Sequence, residues 1–126
     1  MEEIGHGQKT FEYFSTKGIW QRLEGPEDVL AYLEDDNAEG VIAVIRDAGA
    51  TFLSPIFEDL AGVICTGGTI RSHIGIISRE FQIPGVVAAE MTHEPEDGTE
   101  IEIDGSGEFG IIRLRIVRND KSDRTS

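Results

Sequence analysis

The sequence predicts an α/β domain, and three observations carry that reading. Val41–Ile45 and residues 61–65 are short apolar runs with no polar break, as expected of strands buried on both faces. Residues 73–81 place Ile74, Ile77 and Phe81 at helical spacing, on one side of a helix. Glu100–Gly105 alternates acidic residues with isoleucine, the pattern of a half-covered strand. Strands and helices mixed over one small core make an α/β or α+β domain with several sheet elements.

In chain order, residues 1–14 show no sustained period and are expected to be a flexible N-terminal arm, with a brief extended stretch at residues 11–14. Residues 15–117 form a single domain. Pro26 suits the first position of a helix, and Glu27 and Asp28 suit its positive end. Val29, Leu30 and Leu33 supply the apolar stripe, and residues 34–37 close the helix. The strand Val41–Ile45 follows, then a short helix or loop over residues 51–60 and the strand at 61–65. A break at Thr66-Gly67-Gly68-Thr69 precedes the helix at 73–81, which Pro84 ends. Strands at 85–89, Glu100–Gly105 and 111–117 complete the domain, with Asp97-Gly98 as a turn. Residues 118–126 are wholly polar and are expected to be a disordered tail.

The chain has 126 residues with 11 Lys and Arg against 24 Asp and Glu, a net charge of −13. That balance repels phosphate backbones and anionic bilayers, so no nucleic acid and no membrane is expected as a partner. A single cysteine allows no internal disulfide, and Met1-Glu2-Glu3 lacks the basic start of a signal peptide. A cytoplasmic domain is expected.

Residues 64–87 carry the chemistry. A strand leads into Gly67 and Gly68, and His73 then stands at the first turn of a helix. The free N–H groups and dipole of a helix start favour an anion there, and Arg71 can add a charge-assisted bond. Imidazole has an ordinary pKa of about 6.5 and is nucleophilic when neutral. These features suit a histidine that accepts and releases a phosphoryl group.

Gly67, Gly68, Ser72, His73, Ile76, Arg79, Glu80, Ile83, Pro84, Val86 and Val87 together resemble the phosphohistidine motif of the PEP-utilising enzymes. That family's mobile domain is the phosphohistidine domain of pyruvate phosphate dikinase, PEP synthase and phenylphosphate synthase-like assemblies. Asp97-Gly98 and Asp104-Gly105 resemble its closing signature, and Val41–Ile45 with Thr51 its opening, so the similarity covers residues 38–114. The resemblance implies a swivelling β/β/α phosphohistidine domain, built of small mixed sheets with packed helices. It implies that His73 carries the phosphoryl group through Nε2, steadied by Gly68, Thr69, Arg71, Ser72 and the first helical amides. It implies no cofactor on this chain: ATP or PEP with Mg²⁺ belongs to a nucleotide- or PEP-binding phosphotransferase subunit. A chain of this length has no room for such domains, so separate partner subunits are expected.

Four residues separate Gly68 from His73 where the family usually has three, and Arg71 and Ile74 stand at positions usually occupied by smaller residues. These departures favour an alternative reading, a non-catalytic interaction or regulatory module. A third reading, a small hydrolase using Cys65 and His73, meets the objection that a cysteine ending an apolar strand is a buried hydrophobe. Arg79 and Glu80 are expected to form a solvated pair. Glu94, Glu96 and Asp97 read as a solvated loop. His6, His93 and Glu94 lack metal-site spacing, and no metal is expected.

Overall fold

The computed structural model describes residues 2–35, 38–47, 49 and 51–115. These residues contain seven strands, β1 (Glu2–Lys9), β2 (Tyr13–Arg22), β3 (Val41–Ile45), β4 (Gly62–Cys65), β5 (Gly85–Met91), β6 (Glu100–Gly105) and β7 (Gly110–Leu114). Two α-helices, α1 (Pro26–Asp35) and α2 (His73–Phe81), and a 3-10 helix at Ser54–Asp59 accompany them.

The strands form one closed barrel in the order β1-β5-β4-β3-β2-β6-β7. β2, β3, β4 and β5 run parallel in sequence around one side. The remaining pairings, β1 with β5 and β7, β6 with β2 and β7, are antiparallel. Parallel neighbours cannot be joined by a tight hairpin. Here α1, the 3-10 helix and α2 provide the crossovers.

Closure corrects the expected β/β/α arrangement of small mixed sheets with packed helices. There is one sheet, and β1 is the strand that closes it by pairing with β5 on one side and β7 on the other. The same pairing corrects the expected arm at residues 1–14. Ile4 and the buried Gly5 and Gly7 face neighbouring strands, while Glu2, Glu3, His6 and Gln8 are exposed. With two glycines among its buried positions, the strand shows no apolar period. The expected tail at 118–126, and Ile116 and Val117 of the last strand, lie outside the described residues.

Two apolar clusters result. Ile4, Trp20, Ile42, Val44, Ile64, Val86, Ala89, Ile101, Ile103 and Ile112 come from all seven strands and fill the barrel interior. The second cluster lies outside the barrel wall. Ala43, Ile45, Val63, Cys65 and Val87 meet Val29 of α1, Ile74 of α2, and Ile56 and Phe57 of the 3-10 helix there. In α1 the expected stripe is partly corrected: Val29 is buried, Leu30 is 55% exposed, and Tyr32 packs on the core instead. The Leu33 side chain lies outside the described residues. No described helix is long and apolar enough to cross a membrane.

Candidate functional site

The candidate site lies where β4 ends and α2 begins. The loop between them is held against both neighbouring strands. Thr66 N–H donates to the Ile45 carbonyl at 3.1 Å, and Ala88 N–H of β5 donates to the Gly67 carbonyl at 3.3 Å. A side chain on Gly67 would run into the Arg46 carbonyl oxygen, 2.6 Å from its Cβ position. Gly68 has φ +77°, the left-handed turn that glycine adopts without strain.

The loop then folds onto the helix it precedes. Ser72 is the N-cap: its backbone is extended, and its hydroxyl accepts from Gly75 N–H at 3.4 Å. The same hydroxyl donates to the Thr69 carbonyl at 2.5 Å, which also accepts the Ser72 amide at 3.0 Å. Thr69 Oγ1 accepts the Arg71 amide at 3.1 Å. Thr69, Arg71 and Ser72 are therefore brought into one hydrogen-bonded turn immediately before His73. Their order in the chain and the Ser72 cap build this turn. The Thr69 and Arg71 side chains are exposed, and Gly68 supplies the turn at its entrance.

His73 is the first residue of α2 and is half-buried. Its Nε2, the nitrogen the family resemblance implicates, is buried and has no hydrogen-bond partner among the described residues. A phosphorus atom cannot approach a nitrogen enclosed in this way, so transfer through Nε2 requires the imidazole to turn from this position. The next residue, Ile74, is fully buried in the helix-side cluster. Its bulk therefore packs into the core rather than crowding the outer face of the loop.

The far end of α2 is fixed by a buried polar knot. Thr10 Oγ1 and Ser78 Oγ lie 2.7 Å apart, and Ser78 Oγ donates to the Ile83 carbonyl at 2.5 Å. Tyr13 Oη donates to the Gly85 carbonyl at 2.8 Å. Burial, with a smaller contribution from the Asp104 charge, pushes the Tyr13 hydroxyl well above its ordinary pKa, so it stays a donor. The β1–β2 connection thus anchors the helix that carries His73, a contact sequence reading missed because it joins residues 68 positions apart.

Arg79 also departs from expectation. It does not pair with Glu80. Its Nη1 donates to the Ile70 carbonyl at 2.7 Å, reaching back over the loop. Gly75 permits this fold, because a Cβ there would collide with the Ile70 carbonyl group. The spacing of residues 70, 75 and 79 carries no signal until the loop's path is known.

Cys65 is fully buried, and its thiol donates weakly to the Arg46 carbonyl at 3.6 Å. Burial pushes the thiol pKa up, opposite to what a nucleophilic thiolate needs. Among the described residues no group of three or more His, Cys, Asp and Glu is placed to hold a metal ion. The loop at Glu94 and Asp97 is not merely solvated. Glu94 pairs with Arg22, and Asp97 Oδ1 accepts the Arg22 amide at 2.9 Å.

The family model of the PEP-utilising enzyme, mobile domain, matches residues 37–107, from before β3 to beyond β6. Over 88 residues the chain is 31% identical to rifampicin phosphotransferase of Bacillus cereus, a match covering 67% of this chain and 10% of that protein. Over 62 residues it is 34% identical to chondramide synthase cmdD of Chondromyces crocatus, covering 48% of this chain and 2% of that one. The chain thus spans a small part of either relative. Among solved structures, an MccF-like protein from Bacillus anthracis str. Ames shares the fold. Its TM-score is 0.58 at 15% identity, over 85% of this chain and 42% of that chain.

Proposed function

The chain belongs to the PEP-utilising enzyme mobile-domain family, and from that premise we propose that it is a phosphocarrier subunit with His73 as the residue that carries the phosphoryl group. A nucleotide- or PEP-binding phosphotransferase partner supplies the group, and an acceptor in the same multi-subunit system receives it. ATP or PEP with Mg²⁺ is held by the partner. The observation that carries this reading is the position of His73, first residue of α2 behind a glycine-containing, hydrogen-bonded loop within the family-matched segment. The relative named as a phosphotransferase also supports it.

In the transfer, an unprotonated imidazole nitrogen attacks phosphorus. A P–N bond forms while the donor's P–O bond breaks, and the donor oxygen leaves with the electron pair. The phosphoryl group brings about −1.5 to −2 charges and three acceptor oxygens. The His73 and Ile74 amides at the positive end of α2 and the exposed Arg71 guanidinium are the donors for those oxygens. Ser72 contributes through the cap that shapes the turn, since its hydroxyl already bonds Thr69 and Gly75.

One observation favours a second reading, an interaction module that has lost transfer: the buried, unpartnered Nε2 of His73. Incubating the chain in a lysate of its host with radiolabelled ATP or PEP separates the two. The carrier reading predicts an acid-labile label on the chain that His73→Ala abolishes with the fold retained. An unlabelled chain, in a lysate that labels another phosphohistidine protein, contradicts it.

A further inference from the structure

Resting on the carrier function proposed above, we infer that Arg79 is a positioning residue for phosphoryl transfer, acting through the Ile70 carbonyl to hold the loop in front of His73. The Ile70 carbonyl lies against the first turn of α2, in the space that the missing side chain of Gly75 leaves. On its other side it accepts the Arg79 guanidinium at 2.7 Å. The bond closes a ring from residue 70 through His73 to residue 79, so the loop and the reacting helix turn move as one body. Thr69 and Arg71 flank that carbonyl in sequence, and Thr69 is bonded to both Arg71 and Ser72. Rotation of the 70–71 peptide would therefore displace Arg71, the side chain proposed to meet the phosphoryl oxygens.

Charge placement points the same way. Among the described residues, Lys9, Arg22, Arg46, Arg113 and Arg115 each lie within 4.0 Å of a carboxylate, and Lys17, Arg71 and Arg79 do not. Arg79 has acidic Glu80 beside it in sequence, yet its guanidinium goes to a loop carbonyl. A guanidinium has five donors in a fixed fork, so the bond to Ile70 uses only one of them.

Phosphoramidate tests the inference without a partner. Its P–N bond breaks, ammonia leaves, a P–N bond to the imidazole forms, and the ring gives up one proton. The full-length chain, Arg79→Gln, Arg79→Lys and His73→Ala are followed by intact mass over a range of phosphoramidate concentrations, with melting temperatures measured in parallel. Arg79→Gln is expected to lower the limiting rate of His73 phosphorylation by about tenfold, since a small misplacement of reacting groups is costly. Its half-saturating concentration and melting temperature stay near the parent values. Arg79→Lys, which keeps a cationic donor for Ile70, recovers most of the rate. Parent-like rates in Arg79→Gln overturn the inference and leave the carrier function standing. So does a loss of rate that follows the melting temperature and that lysine does not rescue. If the parent chain takes up no phosphoryl group on His73, the carrier function falls and the role of Arg79 falls with it.

Discussion

The two sides of the barrel differ in what covers them. β3 and β4 are buried throughout: Ile42, Val44 and Ile64 point into the barrel, and Ala43, Ile45, Val63 and Cys65 point to the helices. β6 and β7 bury Ile101, Ile103 and Ile112 in the same interior, but their other face carries ions. There Arg113 lies 3.4 Å from Glu102 and 3.0 Å from Asp104, and Arg115 lies 3.1 Å from Glu100. The difference follows from strand direction. Parallel strands need crossovers, and crossovers bring helices whose N-termini and glycine-containing loops gather at the strands' carboxyl ends. Antiparallel neighbours can be joined by a short turn, as β6 and β7 are, and among the described residues no helix starts between those two strands. His73 is where it is because β4 and β5 run the same way.

The largest expected effect is one that both sides share. Trp20 is 1% exposed in the barrel interior, and Trp20→Ala should cost about 3–5 kcal/mol. Chemical denaturation should show a single transition, because the interior is common to all seven strands. Two separate transitions would break the account of one closed barrel. Gly75→Ala should act on the helix-covered side only. Its Cβ strikes the Ile70 carbonyl group, which should cost about 1–3 kcal/mol and raise amide exchange in the loop before α2 while β6 and β7 stay protected. On the ionic side, Arg113→Ala leaves Glu102, 6% exposed, without its cation. A loss of about 1–2 kcal/mol is expected in denaturant melts, and none in phosphorylation of His73.

The smallest effect is a pH dependence. The Ser106 hydroxyl at 2.6 Å, the Ser106 amide at 2.9 Å and Arg113 hold the Asp104 carboxyl at about 2, below the ordinary value of about 3.9. The ionised form is the one the fold favours. Its contribution is therefore complete above about pH 4 and fades as pH falls towards 2. Asp104→Asn should remove that part of the acid-induced loss of stability, and an unchanged acid limb would remove Asp104 from the ionic ladder.

The same contrast decides what could be read from the sequence. β3 and α2 were legible at the residue level, because Val41–Ile45 is apolar throughout, Ile74, Ile77 and Phe81 keep helical spacing, and Pro84 ends the helix. β1 and β2 were not. Gly5, Gly7 and Gly18 occupy buried positions where an apolar period would show. Glu102 looked like a solvent-facing residue of an alternating strand, and only the cross-strand Arg113 explains its burial. Closure depends on β1 joining β5 and β7 across most of the chain, and no local pattern records that. At the site, the glycine turn and His73 were legible as a helix start, whereas the Ser72 cap was not. The Arg79–Ile70 bond and the Thr10–Ser78 anchor were not, since each needs the fold before it has meaning.

The carrier claim meets its most direct test in the chain recovered from its own host, digested with trypsin and kept at alkaline pH. Cleavage after Arg71 and Arg79 releases a peptide that begins at Ser72 and contains His73. One phosphoryl group is expected in that peptide, located to His73 by fragmentation and lost on brief acid treatment. Acid-stable phosphate on Ser72 or Ser78, or an unmodified peptide from cells whose other phosphohistidine proteins are loaded, would contradict it.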